Sequence, residues 1–170
     1  MPHLAALYRT AKFLVRNPVE AEDLVQDVYV EALKSFHRFQ PGTNCKAWLF
    51  SILFHRFHHL RRRLLKSSLE EPLPEQDGVA AEPPVPQEIK DEEILAALDK
   101  VPLAFREVVV MADVEEFSYK EIAATLKLPL GTVMSRLSRG RKLLREKLAE
   151  VAKSYGIGIS AKDAAEGGSA

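Results

Sequence analysis

An all-α fold in two small helical domains is what this sequence predicts, and three observations predict it. Apolar residues recur at helical spacing through most of the chain outside residues 67–90 and 154–170. Helix-starting signals precede those stretches: Asn17-Pro18, Thr43-Asn44, and Ser118 with Glu121 three residues on. Between the two blocks lies Ser67 to Lys90, with five prolines and no apolar periodicity.

Taken in order, residues 3–16 carry Leu4, Leu7, Ala11, Leu14 and Val15 on one helical face. Asn17 suits an N-cap, Pro18 the first helical position, and Glu20 closes an N-x-x-E box. The next helix, about 18 to 36, is expected to bury Leu24, Val25, Val28, Ala32, Leu33 and Phe36 and to expose Asp23, Gln26, Asp27 and Glu31. On periodicity alone those four polar residues read as solvated surface. Pro41-Gly42 marks a turn, and Thr43 or Asn44 can cap a third helix from Lys46 to Lys66. That helix carries Trp48, Leu49, Phe50, Ile52, Leu53, Phe54 and Phe57 and ends in a basic cluster. A basic, aromatic helix after a Gly-containing loop suits nucleic acid, although Trp48 at this spacing is equally a packing residue. His55, His58 and His59 lack the H-E-x-x-H pattern and a fourth ligand, so no metal is assigned.

Ser67 to Lys90 reads as a flexible acidic linker whose 24 residues, extended, reach on the order of 70 Å. Glu92 to Val101 reads as a helix with Ile94, Leu95, Leu98 and Val101 inward, stopped by Pro102. Leu103 to Ala112 continues with Phe105, Val108, Val109 and Met111 packed beneath the two helices that come after it. Ser118 and Glu121 form a capping box, so a helix starts near Tyr119 with Ile122, Ala123 and Leu126 on one face. Leu128-Pro129 ends it, and Lys127 is expected to take the left-handed turn conformation that Gly often fills. A last helix begins near Leu130 to Thr132 with Val133, Leu137, Leu144 and Leu148 inward. Outside that stripe stand Arg136, Arg139, Arg141, Lys142, Arg145 and Lys147 against one acid, Glu146. Two short helices about a tight turn, the second strongly basic, make a helix-turn-helix whose second helix enters the major groove. Residues 154–170 are expected to be a disordered tail.

The charges are segregated within a formally neutral chain. Residues 1–66 hold 11 Lys/Arg against 5 Asp/Glu, 67–92 hold 1 against 8, 93–153 hold 11 against 9, and 154–170 hold 1 against 2. Two basic blocks joined by an acidic strap suit two contacts with one polyanion. No apolar run nears the ~20 residues of a bilayer span, and no signal-peptide pattern opens the chain. Its one cysteine, Cys45, fits a reducing compartment, so the expected location is the cytoplasm, with no membrane partner. Phosphate-cradling loops, nucleophile elbows and metal-ligand clusters are missing from the pattern, so no catalytic residues and no cofactor are assigned.

The stretches F-S-Y-K-E-I-A, P-L-G-T-V-M-S-R-L-S-R-G-R and L-R-E resemble region 4 of bacterial extracytoplasmic-function (ECF) sigma factors. N-P-x-x-A-E-D-L-V-Q-D, F-x-P-G-T-N-x-K-A-W-L-F-x-I-L and the R-R-R run after them resemble their region 2. The resemblance covers about 1–66 and 94–148, in the family's order. It implies a region 2-like domain over 1–66, a linker over 67–91 threading the polymerase, and a region 4-like domain over 92–153. It further implies core RNA polymerase, promoter DNA and an anti-sigma factor as partners. Asp23, Gln26, Asp27 and Glu31 would bind core polymerase. Pro41, Gly42, Thr43, Asn44, Lys46, Trp48, His55, Arg56, His59 and Arg62 would bind and open the −10 element. Met134, Ser135, Arg136, Ser138 and Arg139 would read the −35 element, with Arg141, Lys142 and Arg145 on phosphates. His55 stands where the family commonly has Asn, which leaves the −10 base preference open, and family members usually carry several more residues before the first helix. The other function compatible with the pattern is a free-standing helix-turn-helix regulator that binds operators without polymerase.

Overall fold

The computed structural model describes residues 3–68 and 91–154, which contain seven α-helices and, among those residues, no strand. They are α1 (Leu4–Leu14), α2 (Pro18–Ser35), α3 (Cys45–Ser68), α4 (Asp91–Asp99), α5 (Leu103–Val109), α6 (Tyr119–Leu126) and α7 (Leu130–Ser154). A 3₁₀ turn, Phe36–Arg38, comes after α2, and a π turn, Val110–Val114, extends α5. The linker and tail expected at 67–91 and 154–170 lie almost wholly outside the described residues.

Local signals explain the starts and stops. Asn17 accepts a hydrogen bond from the Val19 N–H at 2.9 Å, with Pro18 in the first turn of α2. Asn44 accepts from the Ala47 N–H at 3.1 Å and so caps α3. At α6 the capping box is complete: the Glu121 N–H donates to Ser118 Oγ at 3.2 Å, and the Ser118 N–H donates to Glu121 Oε2 at 2.8 Å. These bonds, the backbone one foremost, with Asn44 adding to them, hold the Glu121 carboxyl below its ordinary pKa. Lys127 does sit left-handed, at φ 54°. Because a side chain there costs ~1 kcal/mol, Lys127→Gly is expected to stabilise the protein by about that amount in urea denaturation, and an unchanged midpoint would refute it.

In the first half α1, α2 and α3 pack around Leu7, Ala11, Val28, Phe50, Leu53 and Phe54, each almost fully buried. In the second, α4 to α7 pack around Val101, Val108, Met111, Ile122, Val133 and Leu137. Gly140 lets α7 approach α5, since a Cβ there would lie 2.7 Å from Val109 Cγ2 and 3.2 Å from the Phe105 carbonyl oxygen.

Two residues expected in the core of the first half lie on its surface. Leu33 and Phe36 are 77% and 64% exposed. Leu33 shares with Val19 and Val30 the side of α2 that α1 and α3 leave uncovered, whereas Phe36 lies past the end of α2 in the 3₁₀ turn, its ring edge-on to Trp48 of α3. Leu4 and Ile94, also expected inward, are exposed near the ends of α1 and α4. The second half also differs from Val110 on, where the helix expected to run to Ala112 widens into the π turn: the Glu115 N–H donates to Val110 O, five residues back, at 3.0 Å.

The two halves are in direct contact. One apolar cluster runs through both, and Phe50 of α3 meets Phe117 edge-on with ring centroids 5.0 Å apart. Arg106, largely buried, donates to the Asp99 and Val101 carbonyls at the end of α4, to Asp99 Oδ1, and to the Phe13 carbonyl of α1. Desolvation draws its pKa below the ordinary value, with Asp99 acting in the opposite direction.

Candidate nucleic-acid and polymerase interfaces

Helix α7 turns its apolar stripe onto α5 and α6, which leaves its opposite side to solvent. Met134, Ser135, Ser138 and Arg139 are exposed within its first three turns, and Arg136 is half-buried beside them. Lys142 and Arg145 continue the exposed basic side. Arg141 is already engaged, its guanidinium donating to both Asp113 carboxylate oxygens at 2.6 and 3.0 Å, which raises its pKa. Seven of the eight residues assigned to the −35 element thus form one surface, and Arg141 is tied at its edge.

The −10 candidates are divided. Pro41, Gly42 and Thr43 are exposed in a loop where Gly42 takes φ 86°, a conformation open to Gly at no steric cost. Asn44 and Lys46 face the second half: Asn44 Nδ2 donates to Glu121 Oε1 at 2.8 Å, and Lys46 Nζ donates to the Glu115 carbonyl at 2.9 Å. Trp48 is half-buried against Phe39, 4.9 Å between centroids, and Phe36. His55 shares a groove of about 540 Å³ with Trp48, Ser51, Arg38, Thr125 of α6 and Lys127 just beyond that helix. Arg62 adjoins His55 along the same side of α3. Arg56 and His59 instead line a depression with Glu20, Asp23 and Asp27. Arg56 Nη2 also donates to Glu31 at 2.8 Å, so one −10 candidate and one polymerase candidate are paired with each other. Asp23, Gln26 and Asp27 stand exposed on α2.

Periodicity missed Glu115, Glu107 and Gly140. Glu115 has no exposed side-chain surface, yet it stands in the acidic run Val114-Glu115-Glu116, which reads as solvent-facing. Its partners are more than sixty residues away in sequence, so no local pattern announces them. Gly140 falls on the Val133, Leu137, Leu144 stripe, a spacing that could have marked it as a close-packing position. His58, one of the three clustered histidines of α3, faces Glu107 at 2.5 Å. Among the described residues no group of three or more His, Cys, Asp or Glu gathers as a metal would require.

The family model for sigma-70 region 2 matches residues 1–66, and that for sigma-70 region 4 matches residues 91–144. This chain belongs to the ECF sigma factors. Such proteins are RNA polymerase subunits that bind the core enzyme and promoter DNA and direct transcription initiation. The sigma factor is 37% identical to EcfG of Rhodopseudomonas palustris over 75% of this chain and 71% of that one. It is 40% identical to SigE of Mycolicibacterium smegmatis over 87% of this chain, spanning 59% of that relative's length. Among solved structures it is similar to RpoE of Bartonella quintana in complex with the anti-sigma factor NepR. That match has a TM-score of 0.76 at 32% identity and covers 85% of this chain and 91% of that one. CnrH in complex with the cytosolic domain of CnrY gives a TM-score of 0.64 at 26% identity over 87% and 83%. With both sigma regions matched in order, a helix-turn-helix regulator acting without polymerase is set aside. No helix of the described residues is long and apolar enough to cross a membrane.

Proposed function

We propose that this sigma factor reads the −35 element with the exposed start of α7, opens the −10 element with the loop before α3, and docks on core polymerase through α2. It has no catalysis of its own, acts in the cytoplasm, and is held in check by an anti-sigma factor, as the relatives solved in such complexes suggest. The observation that carries the reading is the unobstructed first turns of α7, where Arg139 and Arg136 stand among Met134, Ser135 and Ser138. An arginine there can pair bidentately with guanine for ~1–3 kcal/mol of discrimination, while Lys142 and Arg145 further along meet phosphates.

On α2 the support for polymerase docking is compositional. Asp23, Gln26 and Asp27 share the exposed side of α2 with Val19, Val30 and Leu33, so an acidic edge borders an apolar patch. Glu31 contributes less, being paired with Arg56. For the −10 element, Asn44 and Lys46 at the start of α3 and His55 and Arg62 along one side form the better supported set. Arg56 and His59, on the side of Asp23 and Asp27, belong to it less well.

The test is initiation by reconstituted holoenzyme on a randomised promoter library. Arg139→Ala is expected to lower discrimination at one −35 position by roughly ten-fold or more, a loss of ~1–3 kcal/mol. Asp27→Arg, assayed alongside by retention on core polymerase, is expected to lose retention while keeping its helical signal. Unchanged −35 preference would remove Arg139 from the reading surface, and unchanged retention would return α2 to ordinary solvated surface.

A further inference from the structure

The contacts between the halves share one polarity. Glu115 Oε1 accepts from Arg9 Nε at 2.9 Å and Thr10 Oγ1 at 3.1 Å, and Oε2 accepts from Arg9 Nη2 at 3.1 Å. Lys46 Nζ lies 3.1 Å from Oε2 and donates to the Glu115 carbonyl as well. Glu121 accepts from Asn44, Glu107 faces His58, and Asp99 pairs with Arg16. In each of these side-chain pairs the carboxylate belongs to the second half and the cation or donor to the first. The exception is Arg106, which donates to a backbone carbonyl, that of Phe13.

We propose that this carboxylate row, centred on Glu115, is an internal stand-in for the phosphates of single-stranded DNA, so that packing of the second half and capture of the −10 strand exclude one another. The inference rests on the reading of Asn44 and Lys46 as −10 contacts. Those two side chains are engaged by Glu121 and Glu115, and a phosphate seeking Lys46 must displace a carboxylate from it. Lys46 is further enclosed by the Phe50 and Phe117 rings, 5.6 and 5.0 Å from its Nζ, so the site is closed by apolar as well as polar contact. A buried carboxylate with three donors of the other half loses its partners when the halves part. The row is therefore both the lock and the competitor. The −35 surface on α7 stays open in the same packing. Duplex contact at α7 can accordingly precede release of the −10 surface, and the closed chain is silent toward single strands until polymerase separates the halves.

The experiment uses the full chain, a fluorescent single-stranded DNA of mixed sequence read by anisotropy at several salt concentrations, and small-angle scattering for the separation of the halves. Glu115→Gln keeps the shape and removes the charge. It is expected to enlarge the radius of gyration and tighten DNA binding about tenfold, because apparent affinity scales with the fraction of competent molecules. The slope of log affinity against log salt should steepen by about 0.7 for each cation freed. Arg9→Gln, which withdraws a half-exposed partner, serves if Glu115→Gln does not fold. Opened halves with unchanged affinity would overturn the proposal, and so would tighter binding with no opening. Lys46→Gln, assayed in holoenzyme by permanganate footprinting, tests the −10 reading separately. Intact melting there with tighter single-strand binding by Glu115→Gln would leave the competition standing and move the −10 contact elsewhere.

Discussion

Gly140→Val is expected to destabilise the second half by about 3 kcal/mol or more and to abolish DNA binding with it. In an ordinary exposed helix, replacing Gly gains helix propensity, up to ~1 kcal/mol for Ala. The sign reverses here because a Cβ would lie 2.7 Å from Val109 Cγ2 and 3.2 Å from both Phe105 Cβ and the Phe105 carbonyl. The Val109 methyl can swing aside; the carbonyl is backbone of α5 and cannot move without it. Helix α7 would have to lift, carrying the exposed residues of its first turns out of line with α6. Urea denaturation should show the lowered midpoint, and Gly140→Ala should fall between the two. A stabilised Gly140→Ala would mean that α7 does not sit this close to α5.

Phe50→Ala is expected to cost ~3–5 kcal/mol, a large share of the 5–15 kcal/mol typical of a domain. The ring is fully buried in the first half, so its removal forfeits apolar burial and leaves a cavity. It also meets Phe117 of the second half and lies beneath Lys46, so the same substitution loosens the contact between halves. Calorimetry should show a depressed transition, and the drop should exceed that of Phe57→Ala, since Phe57 keeps 5% exposure and its ring meets His58 of its own helix. Equal drops would remove Phe50 from the junction.

Much of the architecture was legible because its causes are local. Ser118 and Glu121 lie three residues apart and satisfy each other's backbone, so the start of α6 could be read directly. Pro129 keeps Leu128 out of the helical region and so marks the end of that helix, which closes on the left-handed Lys127. The fate of Leu33 and Phe36 was not legible, because periodicity says which residues share a face and not how wide a neighbour covers it. The division of the −10 candidates was hidden for the same reason: Arg56 and His59 are close to His55 in sequence, yet a helix turns them toward α2. Nothing local could reveal the packing of the halves, which joins Arg9 to Glu115 across 106 residues.

The π turn carries a consequence in chain length. Its bond from the Glu115 N–H to Val110 O encloses one residue more than an α-helical turn would. Removing a single codon within Val110–Val114 would let the same N–H reach the same carbonyl across an ordinary α turn, so Glu115 would keep its aim. A residue added there has no narrower turn left to widen, and would rotate everything beyond it by about 100° relative to α5. Glu115 would then swing away from Arg9, Thr10 and Lys46, and Phe117 away from Phe50, although every one of those residues would still be encoded. The mating of the two halves thus tolerates a shorter chain at this point and not a longer one.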